Sequence, residues 1–213
     1  MTALHFPTAP LIARLLYPKG LYWNMKGIGS ETNIKRIYLT FDDGPVPEVT
    51  PQVLDILKEF KAKATFFCVG DNVRKYPEVY ERIIINGHAT GNHTYSHLNG
   101  FKTEGLTYLG DVEKCNLLIK SKLFRPPFGR ITNSQATELQ KNYSIIMWSV
   151  LSGDYNKKIP KEKVLKYTLR NSTDGSIIVF HDSIKASERM IYALPRTLEH
   201  FSRLGYSFNA IHL

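Results

Sequence analysis

Arg36-Ile-Tyr-Leu-Thr-Phe41 is a run of β-branched and aromatic residues, and Ala64-Thr-Phe-Phe-Cys-Val69 is a second. Between them lies Pro51 to Phe60, where Val53, Ile56, Leu57 and Phe60 recur on one helical face. Strand, helix and strand follow one another, and the alternation continues. Helical periodicity covers Tyr76 to Asn86, stopped by Gly87, then Thr103 to Lys120, Asn133 to Gln140, Pro160 to Arg170 and Met190 to Leu204. Strand-like runs cover His88 to Asn92, Leu123 to Arg125, Tyr143 to Val150, Ser176 to His181 and Tyr206 to Ile211. Such alternation predicts a parallel sheet covered by helices, either open or closed into a barrel.

The chain has 213 residues, a length that predicts one compact domain. With 43% hydrophobic residues it can bury a core, which argues against disorder. Cys68 and Cys115 permit at most one disulfide and match no thiolate metal spacing; Cys68 reads as a small buried hydrophobe. The net charge of +9 makes acidic partners plausible, namely nucleic acid, an anionic glycan or a membrane surface. The lysines are spread along the chain, and no arginine-rich arm, zinc finger or RNP-like motif accompanies them, so no nucleic-acid partner is expected. Residues 1–34 show no period and form a segment of unclear role. The short apolar stretch Leu11 to Leu16 is interrupted by Arg14 and flanked by Pro10 and Pro18, too little for a signal h-region or a membrane span. No transmembrane segment is expected, and the default location is cytoplasmic, with association to the cell envelope as the alternative. Oligomeric state is not legible.

The polar residues that resist a structural explanation stand where the strands end: Asp42, Asp43, His93, His97, Arg125, Asp154 and His181. In parallel α/β folds the carboxyl ends of the strands meet on one face, and sites are built there. His93-Thr-Tyr-Ser-His97 would aim both imidazoles the same way if it were helical. Adding Asp43 gives two histidines and one carboxylate, a set that leaves positions open for water and substrate as catalytic metal sites do. Zinc is the first choice of cation; cobalt, nickel, manganese or iron would also suit. Asp42-Asp43-Gly44-Pro45 reads either as a strand-ending turn or as two carboxylates brought to one cavity by a bend at Gly44-Pro45, one binding the metal and the other accepting a proton.

Thr40-Phe-Asp-Asp-Gly-Pro45, His93-Thr-Tyr-Ser-His97, Arg125-Pro-Pro-Phe-Gly129, Trp148-Ser-Val-Leu-Ser-Gly-Asp-Tyr155 and Ile178-Val-Phe-His-Asp182 occur in an order that resembles the polysaccharide deacetylase family, the carbohydrate esterase family 4 type. Its members remove N-acetyl groups from glycans. The resemblance covers about Lys35 to Leu213 and implies a catalytic domain over 35–213. The implied fold is a distorted, incomplete (β/α) barrel of about seven parallel strands. Residue by residue, it implies Asp42 as general base and Asp43, His93 and His97 as metal ligands. Arg125 would orient Asp42, the Phe128 amide would donate to the oxyanion, and His181 would be the general acid supported by Asp154. Val179 would line the acetyl pocket, with Tyr155 on the substrate wall. The implied substrate is an N-acetylated glycan, peptidoglycan or a chitin-like oligosaccharide. Leu151 and Ala89 stand where relatives often carry acidic residues, and Tyr155 where tryptophan is usual, which puts substrate choice in question. Two further readings keep the fold: a glycan-binding protein that has lost activity, and a deacylase of another amide or ester such as an O-acetylated glycan.

Overall fold

The computed structural model describes residues 7–8, 17–28 and 34–213. Leu11 to Leu16 lies outside the described residues. The apolar runs become strands of one sheet: β1 (Arg36–Asp42), β2 (Ala64–Cys68), β3 (Ala89–Asn92), β4 (Leu123–Phe124), β5 (Ser144–Ile145), β6 (Val150–Leu151), β7 (Ser176–His181) and β8 (Ser207–Phe208). The helices between them are α1 (Thr50–Glu59), α2 (Gly70–Lys75), α3 (Pro77–Ile85), α4 (Gly105–Ile119), α5 (Asn133–Leu139), α6 (Lys161–Asn171) and α7 (Ser187–Arg203). The strands run parallel in the order β5-β4-β3-β2-β1-β7-β6, and β8 adds beside the start of β1.

Alternation along β1 sorts the core into two layers. Ile37, Leu39 and Phe41 face outward to the helices, packing with Val53, Leu54 and Leu57 of α1 and Met190, Leu194 and Leu198 of α7. Phe41 stacks between Phe66 and Phe180, with ring centroids at 4.9 and 6.1 Å. Tyr38, Thr40 and Asp42 take the other face, toward the inside of the curl, where Tyr38 joins Phe67, Leu123, Ile146 and Ile177. Gly91 on β3 makes this close packing possible, since a Cβ there would meet the Phe67 ring at 2.5 Å. Register then aligns the strand ends: Asp42 pairs with Phe67 on β2 and with His181 on β7, and Asn92 pairs with both Cys68 and Phe124.

The single strand expected over Tyr143 to Val150 is instead two short strands on opposite edges of the sheet, β5 against β4 and β6 against β7. Residues 146–149 span from one edge to the other. At about 3.3–3.6 Å per residue they cannot reach far, so the sheet curls until its two edges almost meet, giving the incomplete barrel. Ile146 N still donates to Phe124 O on one side and Ser149 N to Ile177 O on the other. Three described residues that precede β1 lie along this seam: Thr8 bridges to Val150, Tyr22 to Ile146 and Asn24 to Ser176. Helix α2 was not read from the sequence, because a single turn and a half carries no period. Cys68 and Cys115 are both free and fully buried, and burial pushes their thiols up. Among the described residues no helix is long and apolar enough to cross a membrane.

The Phe41 stack carries the contact between the central strand and its helices. Phe41→Ala is expected to cost about 3–5 kcal/mol of unfolding free energy. Urea denaturation should show this as a lowered midpoint with an unchanged slope.

Candidate active site

The site grows from the end of β1. Thr40 and Asp42 share the inward face, and the chain then turns at Asp43, whose φ of 82° lies in the left-handed region. The turn therefore sits one residue earlier than the expected bend at Gly44-Pro45. It also resolves the geometry of adjacent carboxylates: strand alternation alone would separate them, but the reversal at Asp43 lets both open on the same end of the barrel.

His93 and His97 follow β3 in a loop, so the helical turn supposed for this segment is absent. Thr94 and His97 have φ of 60° and 55°, and side chains brace the loop. Asn92 is fully buried; its Oδ1 accepts from Thr94 N and its Nδ2 donates to Val112 O. Thr94 Oγ1 accepts from Leu98 N, and Asp111 accepts from Ser96 N. The result still brings the two imidazoles together, with ring centroids 5.2 Å apart. Asp43 Oδ1 lies 3.1 Å from His97 Nε2 and 3.8 Å from His93 Nε2.

These three ligand atoms all lie within 4.8 Å of one another. A tetrahedral zinc with bonds of about 2.0–2.1 Å sets its ligand atoms about 3.3–3.4 Å apart, so the donor set fits a divalent cation in spacing and chemistry. His93 Nδ1 lies 2.8 Å from Arg125 O. A carbonyl can only accept, so Nδ1 carries the proton and Nε2 is left with its lone pair free for a cation. Burial pushes His93 down to about 4 against the attraction of Asp42, so the ring is neutral at pH 7.

Arg125 is the largest fully buried side chain. Its Nη1 donates to Asp42 Oδ1 and to Thr40 Oγ1, both at 2.7 Å, while Nε and Nη2 donate to Ile146 O and Met147 O. Phe67 lies flat beneath the guanidinium at 4.1 Å. Phe128, two residues past Pro126, has φ 60° and is 62% exposed, with its ring edge-on to His97 at 4.7 Å.

On the opposite wall, Asp154 is fully buried and grips His181 twice, Oδ1 at 2.7 Å from Nδ1 and Oδ2 accepting from the backbone N at 2.7 Å. Tyr155 sets its ring 5.1 Å from that of His181. Val179 is buried on the same face of β7 as His181, two residues earlier, and Leu151 pairs with it from β6. Burial disfavours a charged His181, but the charge and hydrogen bond of Asp154, with Asp43 and Asp42 adding, push it up to about 10. Burial likewise opposes charge on Asp43, yet the His97 hydrogen bond and the fields of His181, His93 and His97 hold it well below the usual carboxylate range. Thus every expected site residue lies at the strand ends or in the loops that follow them. His88 stays outside: its Nδ1 accepts from Ala64 N and its ring packs edge-on to Phe66, a structural role. Sequence reasoning missed Asn92 and Thr40; the signal was a polar residue at a buried strand position, Asn92 directly before His93 and Thr40 two residues before Asp42 on the same face of β1.

Comparison with known proteins agrees with the geometry. The polysaccharide deacetylase family profile matches residues 29–145. A peptidoglycan-N-acetylglucosamine deacetylase of Bacillus cereus is 39% identical over 160 residues, covering 71% of this chain and 57% of that protein, so the chain matches little more than half of that relative's length. The crystal structure of the Bc1960 peptidoglycan N-acetylglucosamine deacetylase, in complex with 4-naphthalen-1-yl-N-oxidanyl-benzamide, superposes with a TM-score of 0.83 at 31% identity, covering 95% of each chain. BA3943 of Bacillus anthracis, described as a pseudoenzyme of carbohydrate esterase family 4, superposes at 0.75 with 25% identity over 84% of this chain and 64% of its own. Ordered motifs, strand-end geometry and sequence similarity converge, and the chain belongs to the polysaccharide deacetylase family.

Proposed function

We propose that this chain is a metal-dependent N-deacetylase that releases acetate from an N-acetylated glycan, with peptidoglycan or a chitin-like oligosaccharide as substrate and zinc as the cation. One observation carries the reading: a ligand-competent Asp43, His93 and His97 cluster opens beside two separately held groups, Asp42 bonded to Arg125 and His181 bonded to Asp154. A neighbour of the same fold is described as a pseudoenzyme, so it is these residues, and not the fold, that favour activity.

Asp43, His93 and His97 would hold the cation, which when bound supplies Lewis-acid polarisation of the acetamide carbonyl and acidifies the attacking water. Asp42 accepts that water's proton. Arg125 occupies its Oδ1, and no hydrogen bond from the described residues reaches Oδ2, which is therefore the oxygen for the proton. Attack on the carbonyl carbon creates an oxyanion toward which the Phe128 amide would donate. Asp154 holds the Nδ1 side of His181, leaving Nε2–H to protonate the departing amine. Val179 would meet the acetyl methyl, and Tyr155 would bound the sugar beside His181.

Acetate release should be measured on N-acetylated oligosaccharides and peptidoglycan fragments, with O-acetylated xylan as control. Release that needs added zinc and stops on chelation is the expected result; release indifferent to chelation would sink the reading. Asp42→Asn should keep bound zinc yet lose about 10²–10⁴ in kcat, whereas Asp43→Asn and His93→Ala should lose the metal. The protonated acid sets the basic limb of kcat/KM, and Asp154 is what raises His181. Asp154→Asn should therefore move that limb to lower pH by about 1–3 pH units; an unmoved basic limb assigns the acid elsewhere. Arg125→Met strands Asp42 as an unpaired buried carboxylate and should cost about 3–5 kcal/mol by urea unfolding.

A further inference from the structure

Asp43 is a left-handed residue that is not glycine, and such a conformation costs about 1–3 kcal/mol unless its surroundings enforce it. The peptide that follows it is held at both ends. The Asp43 carbonyl accepts from Asn72 Nδ2 at 2.8 Å, and the Gly44 N–H donates to Asp182 Oδ1 at 3.1 Å. Asn72 comes from α2 and Asp182 from the residue after β7, so two separate elements converge on one peptide plane.

Asp182 is fully buried and takes no part in the chemistry above. Its Oδ2 accepts from Thr50 Oγ1 at 2.6 Å, Thr50 Oγ1 in turn accepts from Val46 N at 2.8 Å, and the backbone N of Asp182 donates to Asp42 O. One residue, through its backbone N–H and its carboxyl group, thereby spans the turn from Asp42 to Thr50. Gly44 is shaped to admit it: a Cβ at position 44 would lie 2.0 Å from Asp182 Oδ2.

We propose that Asn72 and Asp182 are positioning residues that clamp the Asp43–Gly44 peptide from its two ends, and so aim the Asp43 carboxylate at His93 and His97. The inference rests on the metal-site reading and adds to it the part of the chain that fixes the carboxylate ligand. If this peptide plane turns relative to the Asp43 Cα, ψ of Asp43 changes and the carboxylate swings off the imidazoles. The clamp therefore controls cation affinity before any substrate is present.

The test measures Zn²⁺ affinity by competition with a chelating dye, alongside thermal unfolding of the zinc-free protein. Asn72→Ala and Asp182→Ala should each weaken zinc binding by about 10–100-fold, the usual effect of removing a group that orients a ligand. Asp182→Asn keeps an acceptor for Gly44 N–H, and burial already pushes Asp182 up to about 8, so the neutral amide should restore wild-type affinity. A merely structural role would lower the unfolding temperature and leave the affinity of the folded protein unchanged. Wild-type affinity in folded Asn72→Ala and Asp182→Ala overturns the clamp. Should Asp182→Ala fail to fold, Asn72→Ala decides alone, because Asn72 is only half-buried. A wild-type protein that binds no zinc instead overturns the metal-site reading, and the clamp with it.

Discussion

The Arg125 guanidinium is a full positive charge with no access to water, tolerable only because its surroundings replace the hydration it has lost. The replacements come from far apart in the chain: Thr40 and Asp42 from the central strand, and the carbonyls of Ile146 and Met147 from the stretch that closes the barrel. Its own carbonyl meanwhile fixes the His93 ring. One residue thus couples the Asp42 carboxylate, the His93 imidazole of the candidate metal cluster and the curvature of the sheet. Burial alone would disfavour its charge and lower its pKa, and Asp42 opposes that trend. The interaction is a poor source of stability by itself, since a buried pair roughly offsets its desolvation; what it supplies is a unique arrangement.

That arrangement explains which parts of the fold were legible in the sequence. Runs such as Ile37 to Phe41 and Ile177 to Phe180 are buried on both faces, so their apolar character announces a strand whatever its neighbours do. Tyr143 to Val150 carries the same apolar signal but breaks into two, because the carbonyls of Ile146 and Met147 turn to a guanidinium that lies more than twenty residues away in sequence. No local pattern encodes that. The loop bearing His93 and His97 was legible in residue type and not in shape: an i, i+4 pair suits a helix, whereas the contacts of Asn92 and Asp111 impose left-handed turns that deliver the same convergence.

The candidate site divides the same way. Residue identities and their placement at strand ends follow from the alternating pattern and the ordered motifs. The opposed tuning of the two histidines does not. His93 and His181 both suffer desolvation, yet His93 meets a carbonyl and His181 meets a buried carboxylate, so one is pushed down to about 4 and the other up to about 10. A neutral imidazole and a charged one are thereby obtained from the same residue type within one cavity.

The position of β1 has a consequence for how the chain is made. Among the described strands it comes first in the chain, yet it sits in the middle of the sheet, and the partner on one of its sides is β7, with Thr40 and Ile178 separated by 138 residues. The seam contacts of Tyr22 with Ile146 and Asn24 with Ser176 are similarly distant. Until β7 has been made, one edge of the central strand lacks that native neighbour, and a bare strand edge is a template for pairing with other chains. The architecture that gathers the candidate site from residues as far apart as Asp42 and His181 therefore makes nascent-chain protection, and slow closure through distant contacts, part of its inheritance.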